Sequence, residues 1–397
     1  MGPIMDRLGV EQGGCNSDRI YKLANNKELI ITQNSKMGLQ MGAVHVASIG
    51  QADDVALLSD DIHKLQCILH LAMDYASEYH VEMVPEKTKL LCFVPRGQET
   101  QAYYWKVASP ISMAGHQINF SDLAEHVGIL RSTLAGNMDN IIARQAAHTR
   151  ALYSVLPAGL ARGHHGNPAA AVRVENLYGS PVLLSGLAAL VLSKTELSSI
   201  DQHYKESLES LQRLYKATPA PVVYYLAGSL PASALLHLKQ FSLLGMIARL
   251  GPQNILHQHG SYILSAPSST SNKFSWFSQV RSLCQQYSLP DPLKILEVPP
   301  SKESFKRQAK QHVLDWWNVK LRAGANLPSL ELFRADFMSL STPHPIWTSA
   351  GSSPYEIQKA TVQARKLSRR YCHSTQLVCF FLASRIKLFA AMVLRFI

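Results

Sequence analysis

Residues 43–59 read AVHVASIGQADDVALLS, two short apolar runs on either side of a five-residue centre that contains adjacent acids. Runs of this kind around a turn-forming centre predict a β-hairpin, with Asp53 and Asp54 at its tip. Behind a candidate N-cap at residues 59–61, apolar residues recur at spacings of three and four, which predicts a helix packed by one face on a sheet. These residues are Ile62, Leu65, Leu69, Ala72, Ala76 and Tyr79.

The pattern continues as short strands and then changes to helices. Residues 81–95 suggest an extended segment interrupted by Pro85, and 107–130 suggest short strands turning at Gly115. Helices are expected after Asn137, at about 170–192, 196–217 and 231–250, and at 302–323. Ser193 and Glu196 have the spacing of a capping box. Residues 265–274, SAPSSTSNKF, form the clearest linker.

The charge of the chain is unevenly distributed. The 397 residues have a formal net charge of +11, with 47% hydrophobic and 17% charged residues, which excludes a disordered polyelectrolyte. Residues 1–132 contain 11 Lys+Arg against 15 Asp+Glu, whereas residues 261–397 contain 18 against 7. An acidic first third and a basic remainder predict a carboxylate site beside a surface for a polyanion. The alternative is an ordinary solvated basic surface.

Cysteine usage and the chain ends suggest an intracellular protein. The six cysteines are scattered without a disulfide framework. The N-terminal residues lack the cationic start and apolar run of a signal peptide, so secretion is not expected. The one membrane candidate is LVCFFLASRIKLFAAMVLRFI at 377–397, where Arg385 and Lys387 would each cost about 2.5–3.5 kcal/mol. We therefore expect no membrane partner.

The Asp53-Asp54 pair is the strongest indication of chemistry. Two adjacent carboxylates repel each other unless a cation binds or one is protonated. Mg²⁺ prefers one or two carboxylates together with substrate phosphates, so the pair suits two-metal phosphoryl transfer. A solvated turn is the alternative for the pair taken alone.

Four motifs follow one another in the first third of the chain. They are GVEQGG at 9–14, ADDVAL at 52–57, PEKTK at 85–89 and EHVGI at 125–129. In this order they resemble the reverse transcriptases of non-LTR (LINE-type) retrotransposons, from the G-x-x-Q-G motif through the ADD and lysine motifs to the primer-grip hairpin. The resemblance covers about residues 9–130, and the remainder resembles the family's thumb and C-terminal region more weakly.

The resemblance implies an α+β fold in four parts. A partial reverse-transcriptase palm of antiparallel strands with helices would occupy residues 1–132, and a helical thumb-like domain would occupy 133–262. A basic, helical C-terminal region would follow at 274–371, before an atypical apolar tail at 372–397. The implied location is intracellular, with the nucleus as one possibility.

The resemblance also assigns catalytic roles. Asp53 would be the principal ligand of the catalytic Mg²⁺ ions, and Asp54 would support it or contact metal. Lys87 corresponds to the lysine proposed to protonate the pyrophosphate leaving group, although a solvated lysine at a strand end is the alternative. The implied partners are an RNA template and a DNA primer, with deoxynucleoside triphosphates as substrates of the intact parent enzyme.

Other residues would contact nucleic acid. By resemblance, Gln12 and Gly13 would lie against the template and the incoming nucleotide, where glycine permits close backbone approach. His126, Val127 and Gly128 would hold the primer terminus.

Basic residues beyond the palm are further candidates. Arg144 and Arg150 lie along the predicted helix after Asn137, and Lys306 and Arg307 lie in the basic helix at 302–323. The neighbouring Trp316-Trp317 pair suits base stacking. The alternative is that at least one of these tryptophans lies in a helical core.

Two departures from the family bear on activity. Gln51 occupies a position where the family usually has an aromatic residue. The other essential palm aspartate belongs to a motif that precedes G-x-x-Q-G, and Asp6 lacks the context of that motif. Because a two-metal site needs carboxylates from both motifs, we expect this chain to be a polymerase fragment that is inactive alone.

Two other functional readings remain open. The chain could be a non-catalytic nucleic-acid-binding protein derived from a mobile element, or a pseudogene product that does not fold because an incomplete palm exposes strand edges.

Three further groups of residues have weaker support. Cys372, His373 and Cys379 supply three potential zinc ligands, one fewer than a structural site normally uses. His164-His165 most simply follows a helix. Asp201 and His203 have no nucleophile at a useful spacing, so the sequence does not support a hydrolase triad.

Overall fold

The structure of the protein is a computed structural model. It describes residues 17–42, 44–51, 54–81, 83–93, 111–133, 136–155, 166–216, 218–266, 275–325 and 339–367. In these residues helices predominate, and the strands form four antiparallel, two-stranded sheets. The predicted α+β class is therefore confirmed, at the level of a mixed fold with small strand pairs.

Each sheet is a pair of strands that are consecutive in the chain. The pairs are β1 (Leu39–Met41) with β2 (Val44–Val46), β3 (Ser48–Gln51) with β4 (Asp54–Leu57), β5 (Ile111–Met113) with β6 (His116–Ile118), and β7 (Leu123–His126) with β8 (Ile129–Ser132). The hairpins predicted around the paired acids and at Gly115 are confirmed. The run EHVGIL at 125–130, one of the short strand segments expected at 107–130, contains a turn between His126 and Ile129.

The helices lie before, between and after the strand pairs. They are α1 (Ser17–Asn34), α2 (Ile62–Glu78), α3 (Met138–Val155), α4 (Pro168–Val174), α5 (Ser180–Leu183), α6 (Lys194–Leu211), α7 (Ala220–Ala227), α8 (Ala232–Arg249), α9 (Ile255–Ser265), α10 (Trp276–Gln286), α11 (Pro292–Glu297), α12 (Lys302–Ala325), α13 (Pro345–Thr348) and α14 (Pro354–Leu367). Short 3₁₀ turns occupy Pro85–Lys87 and Leu187–Ala189, and a π-turn occupies Glu175–Gly179.

The chain divides into two compact units, each built from three segments. Unit 1 contains Met1–Ile142, Gly186–Glu196 and Lys239–Lys306, and unit 2 contains Ala143–Ser185, Leu197–Leu238 and Arg307–Ile397. The linear domains proposed from the sequence stay predictions.

In unit 1, α2 packs on the β5–β6 hairpin as its apolar spacing predicts. The cluster of buried side chains is Ile62, Leu69, Leu90, Ile111, Met113 and Ile118. Beside it, the Gln66 side chain donates to Ser112 O and accepts from Ser112 N, both at 2.8 Å. The amide thus satisfies backbone groups of β5 that no strand pairs. Asp61 caps the helix by accepting from the backbone amides of His63 and Lys64.

The start of α6 confirms the predicted capping box. Glu196 accepts from Ser193 N at 2.6 Å, and Ser193 Oγ accepts from Glu196 N at 3.3 Å. Glu196 also accepts from Asn137 N. Burial alone would raise the pKa of the Glu196 carboxyl, but these backbone donors outweigh burial and lower it. The box therefore joins the start of α6 to the residue that precedes α3.

In unit 2, α7 is buried on all sides, because every residue from Pro221 to Ala227 is buried. The fully buried Trp347 donates from Nε1 to Gln212 Oε1 at 3.3 Å. Gly228 ends α7 with φ +62, and a Cβ there would lie 2.0 Å from Thr342 O. Only glycine fits this helix end, because both the backbone conformation and the available space exclude a side chain.

Two helix predictions were wrong in extent. The helix expected at about 170–192 is interrupted by the π-turn and ends at Leu183, and the helix expected at 196–217 ends at Leu211. Residues 176–178 are three consecutive exposed residues within the first of them. The π-turn adds a residue to the local repeat, so the apolar residues on either side of it no longer follow one continuous 3.6-residue period.

Apolar helices that could cross a bilayer were sought in the described ranges. No single helix there is long and apolar enough, but α7 and α8, bent by 61°, pass the test of length and composition as a pair.

Candidate nucleic-acid interface

The ADD sequence lies on the β3–β4 hairpin. Gln51 pairs with Asp54 and Ser48 with Leu57, so residues 52 and 53 connect the paired ends. Asp54 is exposed at the first position of β4. Asp53 lies outside the described residues. The hairpin geometry predicted for this motif is therefore present, whereas the position of its principal carboxylate stays a prediction.

Helix α1 braces the strand that leads into this hairpin. Thr32 Oγ1 lies 2.5 Å from Ser48 Oγ, and Gln33 Oε1 accepts from Ala47 N at 2.9 Å. Gly50 lies close to the same helix, since a Cβ there would be 3.1 Å from Leu29 Cδ1. These contacts fix the base of β3 from outside the strand pair.

The described residues do not complete a Mg²⁺ site. Of the proposed pair only Asp54 is described, and in the described ranges no group of three or more His, Cys, Asp or Glu side chains could hold a metal ion. Mg²⁺ needs carboxylates or phosphates at near-octahedral positions. At this hairpin tip the described residues supply one exposed carboxylate, that of Asp54, which does not meet that requirement.

Lys87 ends a 3₁₀ turn rather than lying in the extended segment that the sequence predicts. The turn begins at Pro85, whose fixed φ suits the first position of a helical turn. Thr88 closes it by donating to Pro85 O at 3.1 Å. The Lys87 side chain is exposed, and among the described residues it forms no ion pair with Asp54.

The proposed primer-grip residues form the tip of the β7–β8 hairpin. His126 pairs with Ile129, and Val127 and Gly128 between them have φ of 51° and 69°. Two positive φ angles in a two-residue loop define a type I′ turn. Asn140 of α3 fixes this hairpin, since it accepts from Leu130 N at 2.8 Å and donates to Leu130 O at 2.7 Å.

Val127 is strained, and relieving the strain should stabilise the protein. A β-branched residue with positive φ is a true outlier, whereas Asn is preferred before Gly in type I′ turns. We expect Val127→Asn to raise the free energy of unfolding by about 1 kcal/mol, measured by urea denaturation. Val81→Asn, at an exposed position without positive φ, is the control and should change it by less than about 0.5 kcal/mol. A loss of stability in Val127→Asn would contradict the strain.

His126 has an unsatisfied atom at this tip. Its Nε2 is buried and has no hydrogen-bond partner in the part of the chain that the structure describes. A buried polar atom without a partner costs free energy. The ring nitrogen is therefore an unsatisfied group at the turn that the resemblance assigns to the primer grip.

Helix α12 presents a row of cations. Lys302, Lys306, Arg307 and Lys310 are all exposed, and none of them forms an ion pair with a described acid. Phe305, Ala309 and Val313 form the buried row of the same helix. The cations therefore lie along a solvent-facing side that begins at the first residue of the helix.

The tryptophan pair of α12 has a structural role. Trp317 is buried, as one of the two sequence-based alternatives proposed, and Trp316 is half-buried. The Lys320 ammonium lies 4.8 Å from the Trp316 ring centre and 4.4 Å from the Trp317 ring centre. The exposed faces of these rings are thus shared with an intramolecular cation.

Arg144 and Arg150 both lie on α3, half-buried and exposed respectively. Their proposed role stays a prediction.

The sequence did not indicate a buried polar cluster in unit 2. His148 of α3 bonds Glu175 at 2.8 Å and His203 of α6 at 3.0 Å. Asp201 does not join His203, because its carboxylate accepts from Ser233 N and Oγ, both at 2.7 Å. Burial raises the pKa of Asp201, although these donors oppose the rise. The one available signal was that His148 falls on the apolar side of α3.

Several proposed residues lie outside the described residues. They are Gln12, Gly13, Asp53, His164, His165, Cys372, His373 and Cys379. The template contacts and the zinc alternative stay predictions.

Comparison with known proteins identifies no family for the chain. No protein-family model matches it, and no curated protein matches it significantly.

Proposed function

We propose that this protein is derived from the reverse transcriptase of a non-LTR retrotransposon and that it binds nucleic acid. The observation that carries the proposal is the motif order together with its local geometry. The ADD run lies on a hairpin, and the HVG run forms the tight tip of another hairpin braced by Asn140. Both motifs thus have the local form that their proposed roles need.

We propose that the chain itself binds nucleic acid but does not catalyse template-dependent DNA synthesis. Asp53 and Asp54 are the one acidic pair that the resemblance assigns to the site. Two-metal phosphoryl transfer needs carboxylates that clamp both ions about 3.5–4 Å apart. One acidic pair leaves that clamp incomplete.

A primer-extension assay tests this expectation. The 397-residue chain is incubated with a primed RNA template, Mg²⁺ and deoxynucleoside triphosphates. We expect no template-dependent extension, in parallel with retained binding of the primed template. Mg²⁺-dependent synthesis that Asp53→Asn abolishes would instead show that the chain supplies a complete polymerase site.

The cation row of α12 favours a second candidate, a nucleic-acid-binding protein with no remaining connection to polymerisation. Like charges four residues apart destabilise a helix by about 0.2–0.5 kcal/mol per pair, and Lys302, Lys306 and Lys310 form two such pairs. A phosphate backbone would neutralise this repulsion. The two candidate functions predict different ligands. Only the first requires that the protein bind a primed template more tightly than an unpaired strand.

A further inference from the structure

A continuous chain of hydrogen bonds joins three ionisable side chains in unit 2. His148 Nε2 lies 2.8 Å from Glu175 Oε1, and His148 Nδ1 lies 3.0 Å from His203 Nε2. His148 is 1% exposed and Glu175 is 0% exposed, whereas His203 is half-buried. The cluster thus extends from the core at the π-turn to the accessible side of α6.

The Glu175 carboxyl group is closely packed by residues of the π-turn and of α6. Glu175 is the first residue of the π-turn, and Gly179 is the last. A Cβ at Gly179 would lie 2.4 Å from Glu175 Oε2. Ser207 Oγ approaches the same oxygen at 3.5 Å. Single π-turns within α-helices are frequent at functional sites, and here the turn makes room for a buried carboxylate.

The number of protons that the two rings can hold follows from these bonds. The carboxylate of Glu175 requires an N–H at His148 Nε2. If His148 is neutral, its Nδ1 accepts from His203. If His148 is protonated, its Nδ1 donates to a neutral His203. Adding a proton to the second ring places two N–H groups opposite each other, and the bond between the rings is then lost.

We propose that His148, His203 and Glu175 form an acid-sensitive latch, in which protonation of both rings separates α3 from α6 within unit 2. One histidine at a time can be charged while the latch is closed. Gln145 Nε2 of α3 also donates to the backbone and side-chain oxygens of Ser199 of α6, both at 3.1 Å, and these uncharged bonds link the same two helices. This inference is independent of the proposed function.

The charged and titratable groups around His203 determine the direction of the effect. Burial lowers the pKa of His203, and the neighbouring His148 of α3 lowers it further. Glu206 of α6 opposes the shift. Glu175 contacts His203 only through His148. Burial, and then Glu175, raise the pKa of the adjacent Tyr204, which therefore stays neutral between pH 5.5 and 7.5. A folded pKa below the unfolded value means that the unfolded segment binds more protons, so stability is lost as the pH falls below about 6.5.

Hydrogen exchange of the full chain tests the latch. Exchange is followed by mass spectrometry at pH 7.5 and 5.5 and corrected for intrinsic rates. For one site with an open-state pKa of about 6.5, protection in α3 and α6 of unit 2 should fall about tenfold between these pH values. Protection in α10, which contains no histidine, should change far less.

Two variants separate the latch from a general effect of acid. In His203→Gln the amide can still donate to His148 Nδ1 but does not titrate, so the tenfold loss should shrink to less than about threefold. His63→Gln replaces an exposed histidine of α2 and should retain the full loss. Equal protection at both pH values in the unmodified chain, or an unchanged loss in His203→Gln, would overturn the proposal.

A spectroscopic measurement covers the case in which His203→Gln does not fold. Imidazole ¹⁵N spectra of the unmodified chain, with the rings assigned to positions in the sequence, should show His203 titrating below the ordinary histidine pKa. The assignment is needed because burial also lowers the pKa values of His237, His259 and His344. The spectra should also show a coupling across the hydrogen bond between the nitrogens of His148 and His203, and its absence at pH 7.5 would overturn the proposal.

Discussion

Replacing His148 by leucine is expected to lower the free energy of unfolding at pH 7 by about 3–5 kcal/mol, because it leaves the buried Glu175 carboxyl group without its hydrogen-bonded partner. Glu175 is 0% exposed, and its other neighbour, Ser207 Oγ, lies 3.5 Å away. Leucine fills nearly the same volume as histidine, so a cavity contributes little. Urea denaturation followed by circular dichroism measures the change.

The double variant separates the charge from the packing. Replacing a buried ion pair by apolar residues of similar size is often close to neutral, so His148→Leu with Glu175→Leu should recover most of the lost stability. His63→Leu, at an exposed position of α2, should change stability by less than about 0.5 kcal/mol. If the double variant were as unstable as the two single variants combined, the carboxylate would not be the cause.

Neutralising the cation row of α12 is expected to remove most salt-sensitive nucleic-acid binding. Each phosphate contact with a single strand contributes about −0.7 to the slope of log affinity against log salt concentration. Four contacts therefore weaken binding about 50-fold between 50 and 200 mM salt. In the variant Lys302→Gln, Lys306→Gln, Arg307→Gln and Lys310→Gln, we expect this component of the slope to disappear, as measured by fluorescence anisotropy with a labelled single-stranded RNA.

A control variant that removes four lysines elsewhere distinguishes the loss of a defined binding surface from the loss of net positive charge. Lys64, Lys89, Lys194 and Lys359 are exposed and lie on separate parts of the chain, and their replacement by glutamine removes the same four charges. The control variant should retain most of the slope of log affinity against log salt concentration. The α12 variant should not unfold, because it removes like-charge pairs and a cation at the helix N-terminus. Equal losses of slope in both variants would show that α12 is not a defined binding surface.

Elements with a strong local pattern could be predicted from the sequence. The β3–β4 hairpin follows from two apolar runs around a turn, and α2 from apolar spacings of three and four. The capping box of α6 follows from Ser193 and Glu196. In each case, residues close in sequence contain all the information that the element needs.

The polar cluster could not be predicted in this way. His148 is separated by 27 residues from Glu175 and by 55 from His203, and no local pattern reports such contacts. The ordering of the motifs suggested a site that uses Asp53, but the sequence alone does not place that carboxylate against Lys87 or His126. The local geometry of the ADD hairpin could thus be predicted, but neither the 3₁₀ turn at Lys87 nor the assembly of the motifs could.

The π-turn also determines how this part of the chain tolerates changes in length. A helix that contains a π-turn holds one residue more than an α-helix across the same stretch, which corresponds to a rotation of about 100°. Deleting Leu177, which is 71% exposed, would let the turn close into a regular α-helix. The segment after it would then rotate, and the fully buried Leu183 would leave its place in the core. A one-residue deletion at an exposed site would therefore be more damaging than most substitutions there, and homologues of this chain should keep the distance from Glu175 to Leu183 constant.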